Sequence, residues 1–439
     1  QLADFLFLEG RHKEALDHYE KCLRALEEGD SILAARAQSR MGQCFLALGD
    51  YALAEDHLEK AKESMQVQGD LSSEADLLTM LAGIYRVQGR LDRALQCSRQ
   101  CLDIREHQKD PSAIADAYSC MGLIHADRRD YNQGKACFQM ALDLFMQTGT
   151  CPAAAEALSN LGSICHLQGD LDGASDCYSR ALEIFCELGN GQGQSQTLSN
   201  LGLIYQSRGD LSLSEDYFQK SLAARDESDE PGSAGIKLSL GLTAQLKGDW
   251  DHAQDYFDQA AQAFEDLGDL HGFSLAQNNL GNLHSDRGDM LKAISCYNQS
   301  LDAKRAQNDR HGMATTYANL AAAYFQDGDP AKAQDMYQQS LKIFRELGDR
   351  RGEGKALLGL AAKSPAQTTI EVEEHAGHGP IRELKLAGRH EPGECEGNFV
   401  ATGLENECIA VPVEPMPSHI KIDEIVQQPE LLSRTAPAV

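Results

Sequence analysis

Positive charge is in short supply in this chain: 40 Lys and Arg stand against 67 Asp and Glu over 439 residues, a formal net charge of −27. A balance that acidic repels phosphate backbones and anionic lipid, which excludes nucleic acid and membrane surfaces as expected partners. Long apolar runs are missing too. No stretch is apolar enough to span a bilayer, and no charged-then-apolar leader opens the sequence. The chain starts at Gln1 inside a helical pattern, which reads as a fragment or a trimmed chain. Thirteen Cys are present, but the number is odd and no Cys-x-x-Cys occurs. Reduced thiols in a cytoplasmic protein are expected, set at small packing positions such as Cys22, Cys101 and Cys165.

Signatures of chemistry are equally scarce. There is no Gly-x-Ser-x-Gly elbow and no His-Glu-x-x-His helix. Gly189, Gly191 and Gly193 resemble a phosphate loop but lack the preceding strand that such a loop needs. Asn298-Gln299-Ser300 matches a glycosylation acceptor only by pattern, on a helix that should be packed. The chain is therefore expected to be no enzyme and to need no cofactor or metal.

What the sequence does contain is a repeat. A Gly-Asp-like turn returns about every 40 residues, at Gly49, Gly89, Arg129, Gly169, Gly209, Gly248, Gly288 and Gly328. A period of that size means stacked hairpins rather than one core. In each repeat apolar residues recur at three and four, as one face of a helix requires. Small residues stand at a fixed marker in the first helix: Gly42, Ala82, Gly122, Gly162, Gly202, Gly241, Gly281 and Ala321. Twelve positions on lie Ala54, Ala94, Gly134, Ala174, Ser214, Ala253, Ala293 and Ala333. Seven beyond those lie Ala61, Cys101, Ala141, Ala181, Ser221, Ala260, Ser300 and Ser340. Between the two sets come Phe138, Tyr178, Phe218, Phe257, Tyr297 and Tyr337, with Leu58 and Ser98 breaking the rule. These aromatic rings should fill the space left by the small residues of the adjoining helix. A second series of turns, including Gly69-Asp70, Lys109-Asp110, Asn308-Asp309 and Gly348-Asp349, should end one helix and cap the next.

The order small, small, aromatic, small resembles that of the tetratricopeptide repeat (TPR), over residues 1 to about 362. The resemblance implies an all-α fold, a TPR α-solenoid in which about nine hairpins form a right-handed superhelix closed by a capping helix over 351–362. The usual repeat of this class is about 34 residues. The longer period here, with Ser-Asn-Leu-Gly at 159–162 and 199–202 and Asn-Asn-Leu-Gly-Asn-Leu-His at 278–284, resembles the LGN/Pins family and, more distantly, kinesin light chains. In the LGN/Pins family the Asn before Leu-Gly lies on the concave face and holds the backbone of an extended partner peptide. The matching residues are Asn160, Asn200, Asn279 and Asn319, whereas Arg40, Met80, Cys120 and Ser239 take that place in other repeats. No Asp-Gln-Arg triplet follows the repeats, so the G-protein-binding motifs of that family are absent from this sequence.

An amide carries donors and acceptors and can pair with any peptide backbone, while Asn is a poor helix former that needs a reason to recur in mid-helix. Helical geometry adds concave candidates one and four positions after the marker, among them Gln43, Ser163, Asn282, Leu46, Arg86, His166, Gln206, Gln245 and Phe325, with Asn278 beside Asn279. Asp76, Asp116 and Glu156, six before the marker, read as an acidic stripe suited to a basic or amide-rich peptide. Arg36, Arg40 and Arg86 offer the opposite sign to a partner carboxylate. The expected function is a peptide-binding scaffold, with cell polarity or spindle orientation as the implied pathway. A cytoskeletal cargo adaptor, or the repeat portion of a larger enzyme or signalling protein, is the alternative. Beyond residue 362 the repeat vanishes and eight of the chain's twelve Pro gather. Residues 363–439 are expected to be a mostly disordered tail. The apolar patches 381–386 and 420–432 could occupy the chain's own groove, and His375, His378, His390, Cys395, Cys408 and His419 match no familiar zinc spacing.

Overall fold

A computed structural model describes residues 2–26, 31–149, 151–225, 230–362, 369–373 and 383–387. The zinc candidates and the distal patch of the tail lie outside these residues. Two compact units are distinguished, Gln1–Asp249 and Trp250–Val439.

In the first unit helices pair in sequence order. Helix α1 (Leu2–Leu8) packs with α2 (His12–Ala25), and α3 (Ser31–Ala47) with α4 (Tyr51–Gln68). Then α5 (Leu71–Val87) packs with α6 (Leu91–Gln108), and α7 (Pro111–Asp127) with α8 (Tyr131–Thr148). Helix α9 (Cys151–Leu167) packs with α10 (Leu171–Glu187), α11 (Gly191–Ser207) with α12 (Leu211–Ala223), and α13 (Glu230–Lys247) rests on α12. The second unit opens with α14 (Trp250–Asp266) and continues through α15 (Leu270–Asp286), α16 (Met290–Ala306), α17 (Arg310–Gln326), α18 (Pro330–Leu347) and α19 (Arg350–Ala362). It also contains two short strands, β1 (Thr369–Glu373) and β2 (Glu383–Ala387), paired antiparallel with Ile370 opposite Leu386 and Val372 opposite Leu384. The expectation of a largely unstructured tail did not include this pairing, which takes in most of the proximal apolar patch.

The turns behave as their chemistry demands. Gly169 has φ +79°, a left-handed conformation, and Asp170 then accepts a hydrogen bond from the Gly173 amide at 2.9 Å to cap α10. Three turns adopt the same backbone without Gly: Lys109 at +56°, Arg129 at +62° and Asn308 at +56°.

Packing of each hairpin rests on the marker. A Cβ placed on Gly162 would stand 2.8 Å from the Tyr178 ring, on Gly122 2.9 Å from Phe138, and on Gly202 2.7 Å from Phe218. Here Gly gives up about 1 kcal/mol of helix propensity so that the ring can lie directly on the backbone. A second small-to-large pair, not among the sequence expectations, joins one hairpin to the next at three junctions. Phe185 at the end of α10 lies against Gly193 in α11, where a Cβ would be 2.4 Å away, and Phe264 and Phe344 meet Gly272 and Gly352 in the same manner. Within the Gly-x-Gly of residues 191–193, Gly193 is thus a packing seat for Phe185, and Gly191 lies close to the Ala224 carbonyl. The signal was present as an aromatic followed eight residues later by Gly. Ionic links recur at the hairpin turns, where Arg128, Arg208 and Arg287 reach back to Asp92, Asp172 and Asp251. Those Asp are more than nine-tenths exposed, so each link contributes at most about 1 kcal/mol.

Among the described residues eleven Cys are free. Cys101 and Cys165 are buried as expected, but Cys22 is exposed, on a stretch of α2 where Lys21 is exposed too. Burial pushes the Cys44, Cys97, Cys177 and Cys296 thiols up to about 11, so they stay protonated and unreactive at neutral pH.

Candidate functional site: the first-helix face

Within the first unit α5 touches α7 and α7 touches α9; within the second, α15 touches α17 and α17 touches α19. These first helices therefore adjoin, and residues at one helical position on them stand side by side. All four Asn of the expected row lie half-buried on first helices. Asn160 and Asn200 belong to the first unit, Asn279 and Asn319 to the second. Among the described residues the side chains of Asn160 and Asn279 make no hydrogen bond. Asn200 Oδ1 accepts from Gln196 at 3.4 Å, a long contact, and Asn319 donates from Nδ2 to Asn278 Oδ1 at 3.2 Å. That last bond joins α15 to α17 through their amides.

Asn282 is held differently. Its Oδ1 accepts from the Tyr297 hydroxyl at 2.8 Å, which ties it to the second helix of its own hairpin. Ser163 occupies the same position in its repeat. Its hydroxyl donates to the Ser159 carbonyl at 3.0 Å, which leaves the oxygen to accept from Tyr178 at 2.9 Å. Where the ring is Phe, at 138, 218 and 257, this position is Leu123, Leu203 and Leu242. Tyr178 and Tyr297 thus face a polar residue and the Phe rings face Leu, while Tyr337 has Ala322 at that position. Gln206 is also engaged, through Nε2 to Thr243 Oγ1 at 2.9 Å, and Gln245 and Phe325 are half-buried with interactions of their own.

Of the basic candidates, Arg36 is exposed and has no ion pair among the described residues. Arg40 lies over the Phe7 ring at 5.2 Å, donates to Gln43 Oε1 at 2.9 Å and stands 4.0 Å from Asp4. Arg86 pairs with Asp127 on the neighbouring first helix at 3.3 Å. Two of the three guanidinium groups thus have carboxylates within the chain. The acidic stripe is likewise divided. Asp76 is paired with Arg105, but among the described residues Asp116 and Glu156 form no ion pair. Asp116 is exposed along one edge, yet packing around its carboxyl raises it above the usual carboxylate range; Asp110 and Glu156 add to the rise and Arg105 opposes it.

Among the described residues no group of three or more His, Cys, Asp or Glu is gathered as a metal site, and no helix is long and apolar enough to cross a membrane. The comparisons agree with the repeat geometry. A tetratricopeptide repeat profile matches residues 1–66, 113–187, 193–266 and 272–346, and a second profile of the same repeat matches 75–107. The chain belongs to the tetratricopeptide repeat family. Two solved structures share the TPR fold. The apo form of the quorum sensor NprR from B. thuringiensis aligns with TM-score 0.56 at 12% identity, over 78% of this chain and 96% of its own. The apo form of RapI aligns with TM-score 0.54 at 16% identity, over 68% and 81%. No curated protein matches the chain.

Proposed function

We propose that this TPR protein is an interaction scaffold, not a catalyst, and that it holds an extended segment of a partner protein against its first helices. The observation that carries this reading is the recurring amide: Asn160 and Asn200 in one unit, Asn279 and Asn319 in the other, half-buried at one helical position on the first helices of their hairpins, with α15 and α17 in contact. Amides so placed supply donors and acceptors to a backbone whatever its side chains. The TPR family assignment supports a protein partner, and the fold shared with a quorum sensor fits a chain that receives a ligand. Cell polarity or spindle orientation remains the pathway suggested by the Asn-Leu-Gly wording of the LGN/Pins family.

The test is capture of partners from lysate by the full chain and by a variant with Asn160, Asn200, Asn279 and Asn319 changed to Ala. A partner retained by the first and lost from the second, at equal thermal midpoints, supports the reading. Identical partners on both would refute it.

A further inference from the structure

Along α7, α9 and α11 the first-helix face changes character. Asp116 and Glu156, at the same helical position on adjoining helices, form no ion pair among the described residues, while Asp76 one hairpin earlier is matched by Arg105. Arg105 occupies the place where other hairpins carry the linking Phe, as at Phe145 and Phe185, and no cation follows it there in the next two. Next to the acids stand Asn160 and Asn200, and one position past the markers come Leu123, Ser163 and Leu203. Leu203 is 37% exposed. Ser163 is engaged with Tyr178. The face therefore presents negative charge, backbone-pairing amides and apolar spots, with no basic side chain of its own at these positions.

We propose that this face of α7, α9 and α11 takes an extended peptide bearing Lys or Arg, whose cation lies between Asp116 and Glu156 while its backbone pairs with Asn160 and Asn200. The inference rests on the scaffold reading above and narrows it to one class of partner by charge complementarity. An acidic peptide is disfavoured here by like charge, and a neutral one leaves Glu156 unpaired and Asp116 with only the pull of Arg105, which is itself paired with Asp76. Neighbouring helices lie about 8–10 Å apart and an extended chain advances about 3.3 Å per residue. A segment of about five to six residues thus reaches from the first of the three helices to the third.

The experiment is selection of random 12-residue peptides displayed on phage against the full chain, against Asp116→Asn with Glu156→Gln, and against Asn160→Ala with Asn200→Ala. All three are checked for equal thermal midpoints; the substitutions are on accessible side chains of conserved volume or smaller. The expected result is enrichment of Lys and Arg over the starting library with the unmodified chain, and loss of that enrichment with the neutralised acids. A selected basic peptide should bind the acid-neutralised variant about tenfold more weakly, with the difference shrinking in high salt. The Asn variant should weaken selected peptides regardless of their charge. Peptides selected without Lys or Arg enrichment, or with enrichment unchanged on the neutralised variant, overturn the basic-peptide assignment alone. Failure to select any peptide overturns the scaffold reading with it.

Discussion

Tyr297 donates its hydroxyl to Asn282 Oδ1 at 2.8 Å, from a ring that is 3% exposed to an amide at the edge of the first-helix face. The bond satisfies a buried phenol and at the same time fixes the amide. Tyr297→Phe should cost about 1 kcal/mol, the usual contribution of such a bond plus the unpaired amide it leaves. Adding Asn282→Leu should recover much of the loss, because Phe with Leu is the pairing at Phe138 with Leu123 and Phe218 with Leu203. A double-mutant cycle by chemical denaturation measures the coupling; additive losses would contradict the account.

Glycines that look alike in the sequence should respond in opposite directions. Gly83 and Gly193 both lie within helices, but a Cβ at Gly83 meets nothing within 4 Å, whereas one at Gly193 falls 2.4 Å from the Phe185 ring. Gly83→Ala should stabilise by about 0.5–1 kcal/mol through helix propensity. Gly193→Ala should destabilise by about 1–3 kcal/mol through overpacking, and Phe185→Leu should relieve part of that. Thermal midpoints of the four proteins decide the matter.

Arg129 carries φ +62° at a turn where most other repeats place Gly. A left-handed residue with a Cβ costs about 1–2 kcal/mol, offset by the greater unfolded-state freedom of Gly. Arg129→Gly should therefore raise stability by up to about 1 kcal/mol, read as a higher denaturation midpoint.

Acid should weaken the second unit through His284. Burial, then Lys292 and Arg287, lowers this imidazole from its ordinary value, against the opposing pull of Asp289 and Asp258. A folded-state value below the unfolded one means that protonation favours unfolding. The stability is fully present above about pH 6.5, the unfolded value, and is lost as pH falls toward the depressed folded value. Thermal midpoints at pH 7.5, 6.5 and 5.5 should decline, and His284→Phe should flatten the slope. An unchanged slope would show that other groups carry it.

How much of this was legible in the sequence depends on period. Residues repeating every 40 positions, such as Gly162 and Tyr178, announced both the helices and the contact between them, because a small residue opposite a ring is a local rule within one hairpin. Turns at Lys109, Arg129 and Asn308 were placed correctly despite lacking Gly, since their neighbours in the period define them. The Phe185 to Gly193 contact was overlooked because it joins two hairpins and falls across a turn. The strand pairing of 369–373 with 383–387 lies outside the repeat, where no period helps. At the candidate site, the Asn positions came from the resemblance to the LGN/Pins wording around Leu-Gly. The bonds that tie down Asn282, Gln206, Arg40 and Arg86 did not, because each depends on a partner 15 or more residues away, apart from the Arg40 contact with Gln43.

The central claim is that a partner lies on the first helices. The most direct measurement places a photocrosslinking residue in the full chain at Gln196, exposed on α11 beside Asn200, or at Gln219, exposed on the second helix α12. The captured partner should crosslink from position 196 and not from 219. Crosslinking from 219 alone would put the partner on the opposite face and contradict the account.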